Sequence, residues 1–318
     1  MFIRFRLGSN PVNVDNRRVG PLQTALWRTA DRVQSLVYYG GWPARLSRLL
    51  GSRLTLRVVR QDLTIRGLPE STPTLTLAFA SDFHAGLTTD PCLLHRACAE
   101  MSAAKPDLLL LGGDFVSLDA RQIDWLAPLL STIAAPLGKF AVLGNHDRWN
   151  GVGRVTRTLE AHGIEVLVNE NRRLPSPFHD VWVCGLDDYL TGEVDVGAAL
   201  ADAGGTRIVL MHAPDSLEDL AGEHFALAIC GHTHGGQIAF PGGAPLMSAP
   251  GPFSRVYSRG LFRLDHGGVL LVSVGLGCST LPVRLNSDPE IIVCRLSAPS
   301  SDQVAVSSGI RDTLGERR

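Results

Sequence analysis

Leu75-Thr76-Leu77-Ala78-Phe79-Ala80-Ser81-Asp82-Phe83-His84 reads as a short apolar strand that stops in a carboxylate and an imidazole. The same pattern recurs along the chain. Leu108–Leu111 runs into Gly112-Gly113-Asp114, and the apolar run 140–143 runs into Gly144-Asn145-His146-Asp147. Residues 208–211 precede His212, and 226–230 precede Gly231-His232-Thr233-His234. Residues 91–104 and 121–133 carry helical spacing between these runs, and 269–274 and 291–296 add further strands. Strands alternating with helices predict an α/β domain. Ligand sites in open α/β sheets gather outside the carboxyl ends of the strands. Five polar clusters far apart in sequence are therefore expected to meet at one place.

The chemistry follows from the residue types. Asp82, His84, Asp114, Asn145, His146, His212, His232 and His234 offer carboxylate, amide oxygen and imidazole, all common ligands of divalent transition metals. Singly, each reads as an ordinary loop residue: a histidine after a strand, an aspartate in a glycine turn. A structural role has no comparable account of five such events in order.

In that order the motifs resemble the calcineurin-like metallophosphoesterases: Asp82-Phe83-His84, Gly113-Asp114, Gly144-Asn145-His146-Asp147, His212 and Gly231-His232-Thr233-His234. The resemblance spans about residues 75–296. It implies an α/β fold, a four-layer αββα sandwich of two mixed β-sheets with a dinuclear metal site at the strand C-terminal edge. It assigns Asp82, His84 and His234 to one ion and Asn145, His212 and His232 to another, with Asp114 and a hydroxide bridging them. His146 is implied to face the substrate without binding metal, and Asp147 to orient it. The implied cofactors are two divalent ions, manganese, iron or zinc, whose charge suits an anionic phosphate. Ser117 replaces the tyrosine of purple acid phosphatases. Residues 115–119 lack the Asp-Arg-Gly of protein Ser/Thr phosphatases.

Gly231–Ile238 and the run Gly275-Leu276-Gly277-Cys278-Ser279-Thr280-Leu281-Pro282-Val283-Arg284 are similar to a bacterial branch of membrane-associated phosphoesterases. Some of its members hydrolyse the pyrophosphate of UDP-2,3-diacylglucosamine in lipid A synthesis. That resemblance implies a phosphorylated small-molecule or lipid-linked substrate, and Arg284 is a candidate phosphate ligand, as are Arg255 and Arg259. A nuclease or nucleotide phosphodiesterase of the same fold, or a non-catalytic scaffold, are the competing expectations.

The 318 residues carry a net charge of −1 and are 45% hydrophobic, enough for a sizeable core. Charge is uneven: residues 1–68 hold 12 arginines against Asp15, Asp31 and Asp62, a local net of +9. Residues 1–70 are read as a basic segment containing an amphipathic helix over 22–37 and a strand near Leu54, Leu56 and Val58. Residues 71–298 are the catalytic domain and 299–318 a polar tail. The basic segment is expected to meet an anionic membrane surface or, alternatively, nucleic acid. No apolar run reaches the ~18 residues of a membrane span. The six cysteines form no CxxC pair. The expected location is cytoplasmic, peripheral to the inner face of the membrane.

Overall fold

The computed structural model describes residues 55–265 and 267–299, together with 29, 33, 34 and 36–42. Of the helix expected over 22–37, Thr29, Val33, Gln34, Leu36 and Val37 are helical, and the rest lies outside the described residues. So do Leu54 and the polar tail beyond residue 299.

Among the described residues, twelve strands form two six-stranded sheets. They are β1 (Arg57–Thr64), β2 (Leu75–Ala80), β3 (Leu108–Leu111), β4 (Lys139–Ala141), β5 (Glu165–Val166), β6 (Glu170–Arg173), β7 (Val181–Gly185), β8 (Thr206–Leu210), β9 (Leu227–Cys230), β10 (Gly260–Arg263), β11 (Val269–Val272) and β12 (Glu290–Ser297). The first sheet has the order β1-β12-β2-β3-β4-β5, and the second β10-β11-β9-β8-β7-β6. Both are mixed. In the first, β2 to β5 run parallel and β12 opposes β2. In the second, β7, β8, β9 and β11 run parallel, flanked by antiparallel β6 and β10. Of the strand expected near Leu54, Leu56 and Val58, only Val58 falls within β1, which runs on to Thr64. β1 pairs in parallel with β12, so this part of the segment is built into the first sheet.

Alternation along the strands sorts side chains into three layers of core. Leu75, Leu77 and Phe79 of β2 and Leu108 and Leu110 of β3 meet Val183, Ile208, Leu210, Ile229 and Leu271 between the sheets. Their neighbours Ala78, Ala80, Leu109 and Leu111 face the helices α1 (Pro91–Ala103), α2 (Ile123–Ser131) and α3 (Asn145–Ala161). Val209, Met211, Ala228, Cys230 and Val272 turn outward under Leu200, Leu217, Phe225 and Tyr257. Parallel strands buried on both faces read as continuous apolar runs, which is why β2, β3 and β9 carry almost no polar side chain. α1 is set by sequence in the same way. Asp90 accepts from the Cys92 N–H at 2.9 Å, Pro91 opens the first turn, and Leu94, Ala97 and Met101 form the buried stripe. The result is the expected αββα sandwich. Its parallel strands deliver their carboxyl ends, and the loops that follow, to one edge.

Candidate metal centre

Each polar cluster occupies the turn after a strand: Asp82 and His84 after β2, Asp114 after β3, Asn145 and His146 after β4, His212 after β8, His232 and His234 after β9. The turns are tight. Asp82, His84, Asp114, His232 and His234 all have φ between 43° and 69°, a left-handed conformation that costs a non-glycine residue about 1 kcal/mol or more. Five strained residues on three strand ends converge on one point. Two glycines permit the approach. A Cβ on Gly144 would lie 2.2 Å from Asp114 Oδ1, and one on Gly231 would lie 2.2 Å from Asp82 Oδ2.

The ligand atoms form two adjoining groups. In one, His84 Nε2 is 3.1 Å from His234 Nε2, and His234 Nε2 is 3.5 Å from Asp82 Oδ1. In the other, His212 Nε2 is 3.2 Å from Asn145 Oδ1 and 3.2 Å from His232 Nδ1. Asp114 Oδ2 belongs to both: it lies 3.5 Å from His84 Nε2 and 3.4 Å from His212 Nε2. All seven residues are buried, with 7% exposure at most.

Burial controls the protonation of this cluster. It holds His84 and His234 well below the ordinary histidine range and His232 down to about 3, so these imidazoles are neutral. Burial raises Asp82 to about 6. Burial would also raise Asp114, but the facing His212 and His146 hold its carboxyl well below the usual range. His212 Nδ1 donates to the Gly112 carbonyl at 2.7 Å, which directs Nε2 inward. There it meets Asp114 and Asn145 oxygens, both acceptors. Burial would lower His212, but the facing Asp114 carboxylate holds it well above the ordinary histidine range, so this imidazole carries positive charge between the acceptors. The donor set of imidazoles, carboxylates and an amide oxygen fits divalent metal ions, whose charge would take the place of that proton. Among the described residues, three such groups of candidate ligands occur: Asp82, His84 and His234; His84, Asp114 and His146; Asp82, Asp114 and His212.

Around these, the fold adds supports that the linear motifs do not display. Ser81 Oγ donates to Asp82 Oδ2 at 2.6 Å, and the His232 N–H donates to Asp82. The His146 N–H, in the first turn of α3, donates to Asp114 Oδ1 at 2.8 Å. Its ring Nδ1 lies 3.2 Å from the Ser117 carbonyl, which can only accept, so Nε2 is turned toward the cavity.

Two expectations are corrected. Asp147 does not meet the His146 ring in a hydrogen bond. Its Oδ1 accepts from the Phe115 and Val116 N–H groups at 2.9 and 3.2 Å and its Oδ2 from the Gly144 N–H at 3.0 Å. It ties the Asp114 turn to the Asn145 turn, and burial, with Asp114 nearby, pushes it up to about 8. Arg284 is buried behind the site. It donates to the Gly277 and Ser287 carbonyls, lies 3.0 Å from His234 Nδ1, and takes no part in the cavity wall. Arg259 likewise bonds the Gly235 and Asn286 carbonyls, while Arg255 is exposed on the short helix Pro252–Val256.

A cavity of about 340 Å³ opens over Asp114, Asn145, His146, His232 and His234. Its walls are apolar: Trp149, Leu190, Ile238, Leu246, Met247 and Leu281. Sequence reasoning did not assign these wall residues: Trp149 lies in α3, Ile238 and Leu281 lie in runs read only for their resemblance, and Leu190, Leu246 and Met247 lie in loops with no motif.

Comparison with known proteins agrees with this geometry. Phosphodiesterase YaeI of Escherichia coli (strain K12) is 34% identical over 225 residues, covering 69% of this chain and 81% of that protein. An uncharacterized metallophosphoesterase of Aquifex aeolicus (strain VF5) is 30% identical, covering 75% of this chain and 90% of its own length. A transmembrane protein with metallophosphoesterase domain from Danio rerio is 28% identical, covering 74% of this chain and 56% of that protein. The calcineurin-like phosphoesterase family profile matches residues 75–236, which contain every strand-end cluster described above. The chain therefore belongs to the calcineurin-like phosphoesterase family and is a metal-dependent phosphoester hydrolase.

Proposed function

We propose that the chain hydrolyses a phosphodiester or pyrophosphate bond with two divalent ions, one held by Asp82, His84 and His234, the other by Asn145, His212 and His232, and both by Asp114. The observation that carries this reading is the position of Asp114 Oδ2, 3.5 and 3.4 Å from an imidazole of each group. Ions bound there would supply Lewis acidity toward the phosphoryl oxygens and a water acidified toward neutral pH. The remaining work falls to the chain itself. Asp82 and Asp114 anchor the charge, and the His212 Nδ1–H bond to Gly112 fixes which nitrogen faces inward. With its Nδ1–H held by the Ser117 carbonyl, the imidazolium form of His146 would present Nε2–H to the leaving oxygen and become neutral as it gives up that proton, a contribution of about 10²–10⁴-fold.

The substrate is proposed to be amphiphilic, with UDP-2,3-diacylglucosamine as the specific candidate and the basic residues 1–68 holding the enzyme near anionic lipid. The apolar cavity wall beside a phosphate-binding chemistry supports this. So does the relative named for a transmembrane protein. The name of the E. coli relative supports diester chemistry.

Activity of the metal-loaded protein is to be measured on bis(p-nitrophenyl) phosphate, p-nitrophenyl phosphate, single-stranded DNA and UDP-diacylglucosamine. Turnover of the diester and the lipid pyrophosphate above the monoester is expected. Preferential cleavage of DNA would replace the lipid reading with the nuclease one.

A further inference from the structure

Three stretches bound the mouth of the metal cavity: the described residues 33, 34 and 36–42, then 237–247 and 279–285. Hydrogen bonds join them into one rim. Gln34 Nε2 donates to the Thr280 carbonyl at 2.8 Å and Gln237 Nε2 to the Leu281 carbonyl at 2.7 Å. The backbones of Gln237 and Ala239 pair with that of Leu285 at 2.9 and 2.8 Å. Apolar side chains stand out of this rim into solvent. Leu36 is 77% exposed, Met247 72%, and Phe240 and Leu285 55% each, with Tyr39, Trp42 and Val283 beside them in sequence. Leu246, Met247 and Leu281 are exposed and also line the cavity, so the apolar surface continues from outside down to the metal-facing side chains. A soluble surface does not carry such a patch without a partner.

Charge selects the partner. Residues 32–61, 235–264 and 276–287, which include the rim, contain no aspartate or glutamate but ten arginines, in a chain whose net charge is −1; Arg259 and Arg284 are turned onto backbone carbonyls, and Arg57, Arg60, Arg255 and Arg263 are exposed. Four of the ten (Arg32, Arg45, Arg48 and Arg53) lie outside the described residues. A second copy of the same face would set arginine against arginine with no acid to pair it. An anionic lipid surface offers both halves of the match: an acyl boundary for Phe240, Met247 and Leu285, and phosphates for the arginines. Tyr39 and Trp42 are the residue types that favour that interface. We propose that this rim docks on an anionic phospholipid bilayer, so that the cavity opens onto the membrane and an acyl-tailed phosphoester enters it without crossing water. The proposal deepens the reading of an amphiphilic substrate, but its test is independent of turnover.

The test is flotation of the full-length protein with vesicles of phosphatidylglycerol and phosphatidylcholine, against phosphatidylcholine alone. The variant combines Phe240→Asp, Val283→Asp and Leu285→Asp, none of which touches the cavity. The intact chain is expected to float with anionic vesicles, and the variant to bind about tenfold more weakly or worse. Hydrolysis of soluble bis(p-nitrophenyl) phosphate should be unchanged in the variant, which shows that it is folded. Equal flotation of variant and parent would overturn the docking surface. So would absence of flotation by the parent with a dimer in sedimentation velocity that the variant dissolves, because the rim would then be a protein interface. Flotation of the parent without hydrolysis of any ester would instead count against the substrate reading and leave the docking surface standing.

Discussion

Removing the Asp114 carboxylate takes away an oxygen that faces both imidazole groups at 3.4–3.5 Å. Asp114→Ala should therefore lose metal from both positions, and elemental analysis of the purified variant should find little. Full occupancy would rule out a shared carboxylate. His146→Ala should behave differently. Its ring is held by a carbonyl and faces the cavity, so the variant should keep its metal and lose activity by about 10²-fold or more on an alkyl ester. On a nitrophenyl ester, whose leaving group needs no proton, the loss should be much smaller. Equal losses, measured as kcat on samples of known metal content, would exclude the leaving-group role. The identities of these residues were legible because each follows an apolar strand within a short motif. The environment of a lone side chain was not. Arg284 has the same sequence context whether it points at substrate or, as here, at the Gly277 and Ser287 carbonyls, and only the path of the 277–287 loop decides.

The first turn of α3 shows how an element, rather than a residue, builds the site. Asn145, His146 and Asp147 open this helix, so Asn145 and His146 reach the ligands while Asp147 reaches back to the Gly144, Phe115 and Val116 N–H groups. Asp147→Asn keeps the size but places an NH2 group against N–H donors. Because a buried donor left unpaired costs about 1–3 kcal/mol, the variant should unfold at lower urea, and its metal affinity should fall as the two turns separate. A variant as stable as the parent, with unchanged metal affinity, would mean that the three bonds contribute nothing. α3 itself escaped the sequence reading: Gly151, with φ of 139°, and Gly153 interrupt its pattern. Two of the strands that escaped have similar causes. β6 is Glu-Asn-Arg-Arg, a polar edge strand beside β7 with no alternation to read, and β5 is two residues long. β2, β3, β8 and β9 were legible because burial on both faces demands uninterrupted apolar residues.

The metal centre also joins the two halves of the sandwich. Asp82, His84, Asp114 and Asn145 leave the first sheet, and His212, His232 and His234 leave the second. At this edge the turns bring buried carboxylates and imidazoles face to face, an arrangement in which opposed acceptor atoms repel unless a proton or cation lies between them. Ions bound only by the folded chain stabilise it by RT ln(1 + [L]/Kd), about 4 kcal/mol at a thousandfold excess over Kd. For a body of this size, 1 kcal/mol moves the midpoint by roughly 2–4 °C, so metal at that excess should raise Tm by on the order of 10 °C. Chelation should reverse the rise. Asp114→Ala should abolish it, since that carboxylate faces ligands from both sheets. Because the ligand turns lie at the ends of β2, β3, β8 and β9 in the centre of each sheet, the gain should appear in the whole cooperative transition and not in a separate local one. Calorimetry of the metal-loaded, chelated and variant proteins checks this. A Tm indifferent to chelator in protein shown to have contained metal would mean that the ions sit on a site preformed by packing alone, with the sheets held together without them.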